Sequence, residues 1–199
     1  LGLPVPILGD IIFQDHSGSS MYQLEIDGVD GGVAETKRIL FGGMSNDSLT
    51  GGDGEDYLFG MDGNDQLNAG DADDYLEGGR GADTLNAGAG ADDIYGGHGN
   101  DQINGDEGND RIDGGDGNDQ ISGGADNDRI TGGKGNDDIA GDEGNDIIAG
   151  AEGSDTLTGG EGMDAIGGGA FYDEENDTYW LRDDNVADRL EGGEGYDFY

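Results

Sequence analysis

Gly114-Gly115-Asp116-Gly117-Asn118-Asp119-Gln120-Ile121-Ser122, or GGDGNDQIS, gives neither a helix nor a long strand much to build on. Glycine, asparagine and aspartate favour turns, each through its own backbone chemistry, and only Ile121 suits an apolar core. Nearly the same nine residues recur along most of the chain, so whatever this segment does is done many times over.

Outward from Gly114 in both directions, residues 42–167 divide into fourteen consecutive nine-residue units without an insertion. The sixth position is aspartate in every unit: Asp47, Asp56, Asp65, Asp74, Asp83, Asp92, Asp101, Asp110, Asp119, Asp128, Asp137, Asp146, Asp155 and Asp164. The eighth is always leucine or isoleucine, from Leu49 to Ile166. Glycine holds position one in twelve units, Ala69 and Ala87 being the exceptions, position two in ten and position four in eleven. The departures are Met61, Asp106, Asp142 and Ala151 at position two, and Ser45, Ala72 and Asp126 at position four. Positions three, five, seven and nine vary.

A fixed short period marks a solenoid whose units bury their apolar residues only by stacking. One inward residue at position eight, flanked by water-facing positions seven and nine, predicts short strands of two to three residues. Glycines at positions one, two and four then supply the turns. Two units make a coil of eighteen residues, giving seven coils and two parallel sheets across a thin Leu/Ile core. The predicted class is all-β, a parallel β-helix solenoid capped at both ends.

Composition makes that core insufficient alone. Of 199 residues 45 are glycine and 32% are hydrophobic, while 47 acids against 8 Lys and Arg give a formal net charge of −39. Such a chain resembles a disordered polyanion, unable to bury enough surface to offset chain entropy. Nucleic acid and anionic membranes both call for basic patches, so the charge argues against them and towards cations. The absence of cysteine excludes disulfides and thiolate metal sites. No run approaches the roughly 18 apolar residues of a membrane span, so no direct membrane insertion is expected. The chain begins at Leu1 rather than a methionine, and is read as a piece of a longer protein.

Stacking brings the aspartates of unit n and unit n+2 to within about one strand spacing, roughly 4.8 Å. Alone, those carboxylates would repel. A hard divalent cation between adjacent turns reverses the sign, with glycine-turn carbonyls completing the oxygen shell of six to eight ligands that calcium accepts. Magnesium keeps its waters and demands a rigid octahedron, and transition metals call for His or Cys, which the pattern lacks. Residues 42–167 hold 31 acids and 4 bases, a net of −27. Fourteen turns paired n with n+2 give at most about twelve interior sites, and twelve calcium ions would bring the block to about −3.

The pattern G-G-x-G-x-D-x-(Leu/Ile)-x, carried by Gly114 to Ser122 and its copies, resembles the RTX, or haemolysin-type calcium-binding, nonapeptide repeat. That resemblance covers residues 42–167. It implies a right-handed parallel β-roll, with calcium held by the fourteen aspartates named above together with turn carbonyls. It further implies export from Gram-negative bacteria by a type I secretion system, hence a secreted or cell-surface location. The expected protein is a monomeric, non-enzymatic calcium-binding module, with calcium ions and, in the parent protein, the secretion machinery as its partners. The alternative is an adhesive or spacer module of a large surface adhesin.

The flanks divide off as residues 1–41, an N-terminal capping β segment, and 168–199, degenerate repeats with an aromatic C-terminal cap. Pro4 and Pro6 suit an extended linker; Tyr22, Leu24 and Ile26 alternate like a half-buried strand, and Val33 to Phe41 reads as a second. Beyond Gly167, residues 176–180 and 187–191 keep the Asp-x-apolar tail of the unit on longer spacers. Phe171, Tyr172, Tyr179, Trp180, Tyr196, Phe198 and Tyr199 are half of the fourteen aromatics. His98, at variable position three, reads as a solvent-facing turn residue. His16 near Ser17, Ser19 and Ser20 has no accompanying oxyanion motif, and Gly133-Lys134 lacks the rest of a phosphate loop. Many carboxylates lie close together, but a hydrolase needs two in unlike environments beside a cleft, which identical turns do not offer.

Overall fold

Stacking in register makes every eighteenth residue a neighbour, and the strand pairing follows that rule throughout. The structure, a computed structural model, describes residues 22–30, 33–167, 170–173, 178–181 and 189–195. Pro4, Pro6, His16, Ser17, Ser19, Ser20, Tyr196, Phe198, Tyr199 and parts of the two C-terminal spacers lie outside the described residues.

The strands are β1 (Tyr22–Asp30), β2 (Val33–Gly43), β3 (Ser48–Gly52), β4 (Tyr57–Asp62), β5 (Gln66–Asp71), β6 (Tyr75–Arg80), β7 (Thr84–Ala89), β8 (Asp93–His98), β9 (Gln102–Glu107) and β10 (Arg111–Asp116). They continue as β11 (Gln120–Ala125), β12 (Arg129–Lys134), β13 (Asp138–Glu143), β14 (Ile147–Glu152), β15 (Thr156–Gly162), β16 (Ala165–Gly167), β17 (Ala170–Asp173), β18 (Thr178–Leu181) and β19 (Arg189–Gly195). Even-numbered strands β2 to β16 form one parallel sheet, with β1 added antiparallel to β2 at its edge. Odd-numbered strands β3 to β15 form the other, ended by β19. Ile121 of β11 pairs with Ile103 of β9 on one side and Ile139 of β13 on the other. The repeat block is therefore an all-β solenoid of about seven coils.

The position-eight residues from Leu49 to Ile166 are almost wholly buried and, with Leu40, Ala69 and Ala87, form a single apolar cluster. This core is one side chain deep per strand. Its extension to Leu40 follows from register, because Leu40 of β2 sits opposite Leu58 of β4. At the far end Arg189 and Leu190 of β19 pair with Thr156 and Leu157, so this stretch returns to the roll. Residues 178–181 do not: β17 and β18 make a separate antiparallel pair, with Phe171 opposite Trp180.

The strands are longer than the two to three residues expected from sequence. Most run six, from position seven of one unit to position three of the next. In β11, Gln120, Ile121 and Ser122 pair, Gly123 is skipped, and Gly124 and Ala125 resume pairing with Asp106 and Glu107. The bend at Gly123 interrupts the ladder without ending it, so positions one to three belong to the strand. The turn is confined to positions four to six, where backbone bonds still run along the stack: Gly117 N–H donates to Lys134 O and Gln120 N–H to Asp101 O.

From Gly63 onward, position-two glycines have φ between 99° and 127°, as at Gly115 (99°), and position-four glycines a larger value, as at Gly99 (140°). Six of the seven departures from glycine keep a positive φ: Met61, Ala72, Asp106, Asp126, Asp142 and Ala151, all between 73° and 83°. The fold imposes its backbone on these residues at a cost of roughly 1–2 kcal/mol each.

Candidate metal centre

Each sixth-position aspartate is the last residue of its turn, placed there by the glycine bend before it and the strand after it. All fourteen are buried, the most exposed being Asp47 at 8%. They sort onto two edges: Asp47, Asp65, Asp83 and every eighteenth residue on one, Asp56, Asp74, Asp92 and their successors on the other. Within an edge one carboxylate oxygen is committed to the backbone. Asp101 N–H donates to Asp119 Oδ1 at 2.9 Å and Asp119 N–H to Asp137 Oδ1 at 2.9 Å, and the series runs from Asp47 to Asp164 with bonds of 2.6 to 3.0 Å.

The second oxygen is left over. Oδ2 of Asp56, Asp65, Asp74, Asp83, Asp92, Asp101, Asp110, Asp119, Asp128, Asp137 and Asp146 is buried and accepts no hydrogen bond. A buried acceptor without a donor costs about 1–3 kcal/mol, and more when charged. These oxygens converge with backbone carbonyls beside the position-one glycines. A methyl built on Gly114 would meet Asp119 Oδ2 at 2.6 Å and Gly132 O at 2.6 Å, and one on Gly78 would meet Asp83 Oδ2 and Gly96 O at 2.6 Å each. Glycine keeps open a space lined by one carboxylate and one carbonyl oxygen, from adjacent coils.

Burial is the main cause of the carboxyl shifts, opposed by the backbone N–H donated to Oδ1. It pushes Asp65, Asp110 and Asp146 up to about 6, Asp92, Asp101, Asp128 and Asp137 to about 7, and Asp74 to about 8. Neighbouring aspartates eighteen residues away add to the rise, as Asp92 and Asp56 do for Asp74. The site disfavours bare negative charge and favours a cation along its length.

The donor set fits a hard divalent cation. It is all oxygen and anionic, and among the described residues no group of three or more His, Asp or Glu side chains could hold a metal by itself. Backbone carbonyls must therefore supply much of the shell, which suits calcium's large, flexible coordination. A family model for the RTX calcium-binding nonapeptide repeat, four copies long, matches residues 41–76, 68–103, 77–112, 104–139, 113–148 and 140–174, together spanning 41–174. The chain belongs to the RTX calcium-binding repeat family. No curated protein matches it. Its repeats and its parallel solenoid make it a calcium-binding RTX module. No helix among the described residues is long and apolar enough to cross a membrane.

Position five of the RTX unit, read as variable from sequence, has a structural task. Its eight asparagines stack, and their side-chain oxygens accept backbone N–H groups from the following coil: Asn136 N–H donates to Asn118 Oδ1 at 2.7 Å and Asn145 N–H to Asn127 Oδ1 at 2.9 Å. An aromatic ladder was also missed. Phe41 stacks on Phe59 at 4.9 Å between centroids, and Tyr75 lies 5.5 Å from Phe59 and 5.4 Å from Tyr95. His98 is exposed, with Nδ1 3.2 Å from Asp116 Oδ2, and Lys134 reaches the same carboxylate at 2.6 Å. Such surface pairs contribute about 0–1 kcal/mol.

Proposed function

We propose that this RTX chain is the calcium-triggered folding segment of a secreted bacterial protein, that it is not an enzyme, and that Asp47 to Asp164 at position six are its calcium ligands. The supporting observation is the buried, donor-less Oδ2 repeated from Asp56 to Asp146. Folding without a counter-ion would bury anionic oxygens unpaired; with calcium, the same oxygens hold successive coils together. In a calcium-poor cytosol the polyanion stays open and passes a type I exporter, and outside the cell it closes. The export route rests on the family resemblance.

Extracellular calcium modules bind at about 10⁻⁴ to 10⁻³ M. With free calcium about tenfold above the dissociation constant, each site adds on the order of 1.4 kcal/mol, so about twelve would add roughly 17 kcal/mol. That converts a disordered chain into a domain. Domain limits of 1–41, 42–167 and 168–199 and a monomeric state complete the proposal. The test is calcium titration of the chelated chain with ion counting by native mass spectrometry and magnesium as control. Several calcium ions bound cooperatively with a gain of β signal is the expected result; folding equally in magnesium or in no metal refutes it.

An adhesive or spacer role is favoured by one further observation. On the odd-numbered sheet Thr84, Asn86, Gln102, Asn104, Gln120 and Ser122 line a shallow polar groove, with Asp138 and Asp142 as its only acids, on a polyanionic molecule. Binding of the calcium-loaded chain to a neutral glycan array would support that role, and no binding would dismiss it.

A further inference from the structure

Residues 33–41 lack the glycine signature, yet β2 places them in register with the repeats. Ile39, Leu40 and Phe41 pair with Tyr57, Leu58 and Phe59. One step back, Arg38 therefore stands where a sixth-position aspartate would, eighteen residues before Asp56. Its backbone makes the aspartate's hydrogen bond: Arg38 N–H donates to Asp56 Oδ1, as Asp56 N–H does to Asp74 Oδ1. Its side chain lies against Gly52, the last residue of β3 and four residues before Asp56, where a methyl would meet Nη1 at 2.5 Å and Cζ at 3.4 Å.

We infer that the Arg38 guanidinium takes the place of a calcium ion at the first rung of the Asp56 edge, sealing by a permanent cation the side of that turn which has no preceding acidic turn. The inference rests on the calcium reading of the ladder proposed above. Charge placement supports it. Lys37, the next residue, pairs with Glu55 at 2.7 Å and lies 4.8 Å over the Tyr57 ring. Two of the chain's eight Lys and Arg thus stack over the adjacent acids Glu55 and Asp56, each at a separation of eighteen residues. The other edge starts differently: Asp47 Oδ2 accepts the Gly43 N–H at 2.7 Å, so its first carboxylate is satisfied by backbone.

Arginine suits this task because its guanidinium stays charged at any physiological pH and presents several donors in a plane to oxygen acceptors. An aspartate at 38 would extend the ladder and leave a terminal site dependent on calcium. With arginine the first rung closes without metal, and the ion ladder on this edge begins with the Asp56–Asp74 pair.

The test compares wild type, Arg38→Asp and Arg38→Gln in the full chain, counting calcium ions by native mass spectrometry and reading the calcium midpoint of folding by circular dichroism. Arg38→Asp is expected to hold one more calcium ion than wild type. Arg38→Gln keeps the wild-type count and needs at least about twofold more calcium to fold, since it removes the cation and adds no ligand. An unchanged count in Arg38→Asp, or an unchanged midpoint in Arg38→Gln should the aspartate variant not fold, overturns the inference. A wild type that binds no calcium would overturn the underlying calcium reading instead.

Discussion

Removing calcium at two pH values separates the ion's contribution from that of the fold. Eight of the ladder carboxylates are raised from 3.8 to values between about 6 and about 8, chiefly by burial. Asp101 moves from 3.8 to about 7, which corresponds to on the order of 4 kcal/mol between its neutral and ionised forms in the folded chain. Neighbouring carboxylates share their mutual repulsion, so the shifts are not additive, but a few penalties of this size already rival the roughly 5–15 kcal/mol that holds a typical domain. Because each folded value is raised, the favourable contribution comes from the neutral form; it is complete below about pH 4 and lost as the pH climbs through 6 to 8. The chelated chain is therefore expected to be open at pH 7.5 and to regain β signal and a smaller hydrodynamic radius near pH 4, protons taking over the role of the ions. Circular dichroism and size-exclusion chromatography in excess chelator read both quantities. Equal β signal and equal radius at the two pH values would refute the reasoning, because the buried carboxylates would then carry no penalty.

Three further outcomes follow from individual residues. Asp119→Asn keeps an Oδ1 acceptor for the Asp101 N–H and removes the charge; in saturating calcium it lowers stability by about 1.4 kcal/mol or more for the impaired site, while in chelator it shifts the acid-induced transition to higher pH, a reversal of sign seen by urea and pH titration. Gly99→Ala brings a methyl onto the Gly81 carbonyl of the neighbouring coil, and the chain escapes only by moving φ from 140° towards the 83° of Ala72; a cost of roughly 1–3 kcal/mol in calcium is expected from the urea midpoint. Ala151→Gly relieves a non-glycine residue held at φ 75°, a strain of roughly 1–2 kcal/mol partly offset by glycine's extra chain entropy, and thermal unfolding in calcium should show a gain of about 0.5–1 kcal/mol.

The parts of the fold legible in the sequence are those that every unit must repeat. A wrong residue at position eight would open the core, and one at position six would break the ladder, so Leu49 to Ile166 and Asp47 to Asp164 stand out at a period of nine. Features belonging to one sheet repeat every eighteen residues and blur when the chain is read in nines. Position nine alternates between Phe59, Tyr95 and their neighbours on one sheet and Asn86, Asn104 and Ser122 on the other, so the aromatic ladder looked like variation. Arg38 was hidden because residues 33–41 follow the register of a repeat without its glycines. Strand length was misjudged for a related reason: the bend at Gly123 suggested a turn, although Gly124 and Ala125 still pair with the neighbouring strand.

Why the sixth residue is always aspartate can be decided from hydrogen bonding. Each turn is tied in both directions, the position-five side chain accepting from the coil that follows, as Asn118 does from Asn136, and the position-six side chain from the coil before, as Asp119 does from Asp101. The first bond tolerates Asn, Asp and, with its loss, Ala or Met, and position five varies accordingly. The second would be served equally by asparagine, whose oxygen occupies the same place as Oδ1. Yet no unit uses asparagine at position six, although the chain is rich in it one residue earlier. What aspartate has and asparagine lacks is a negative charge and a second anionic oxygen, and that oxygen is the one buried without a donor. A ligand that repels N–H donors and seeks anionic oxygen is a cation, so the choice of Asp over Asn, made fourteen times in tandem, is the residue-level argument for the proposed calcium ladder.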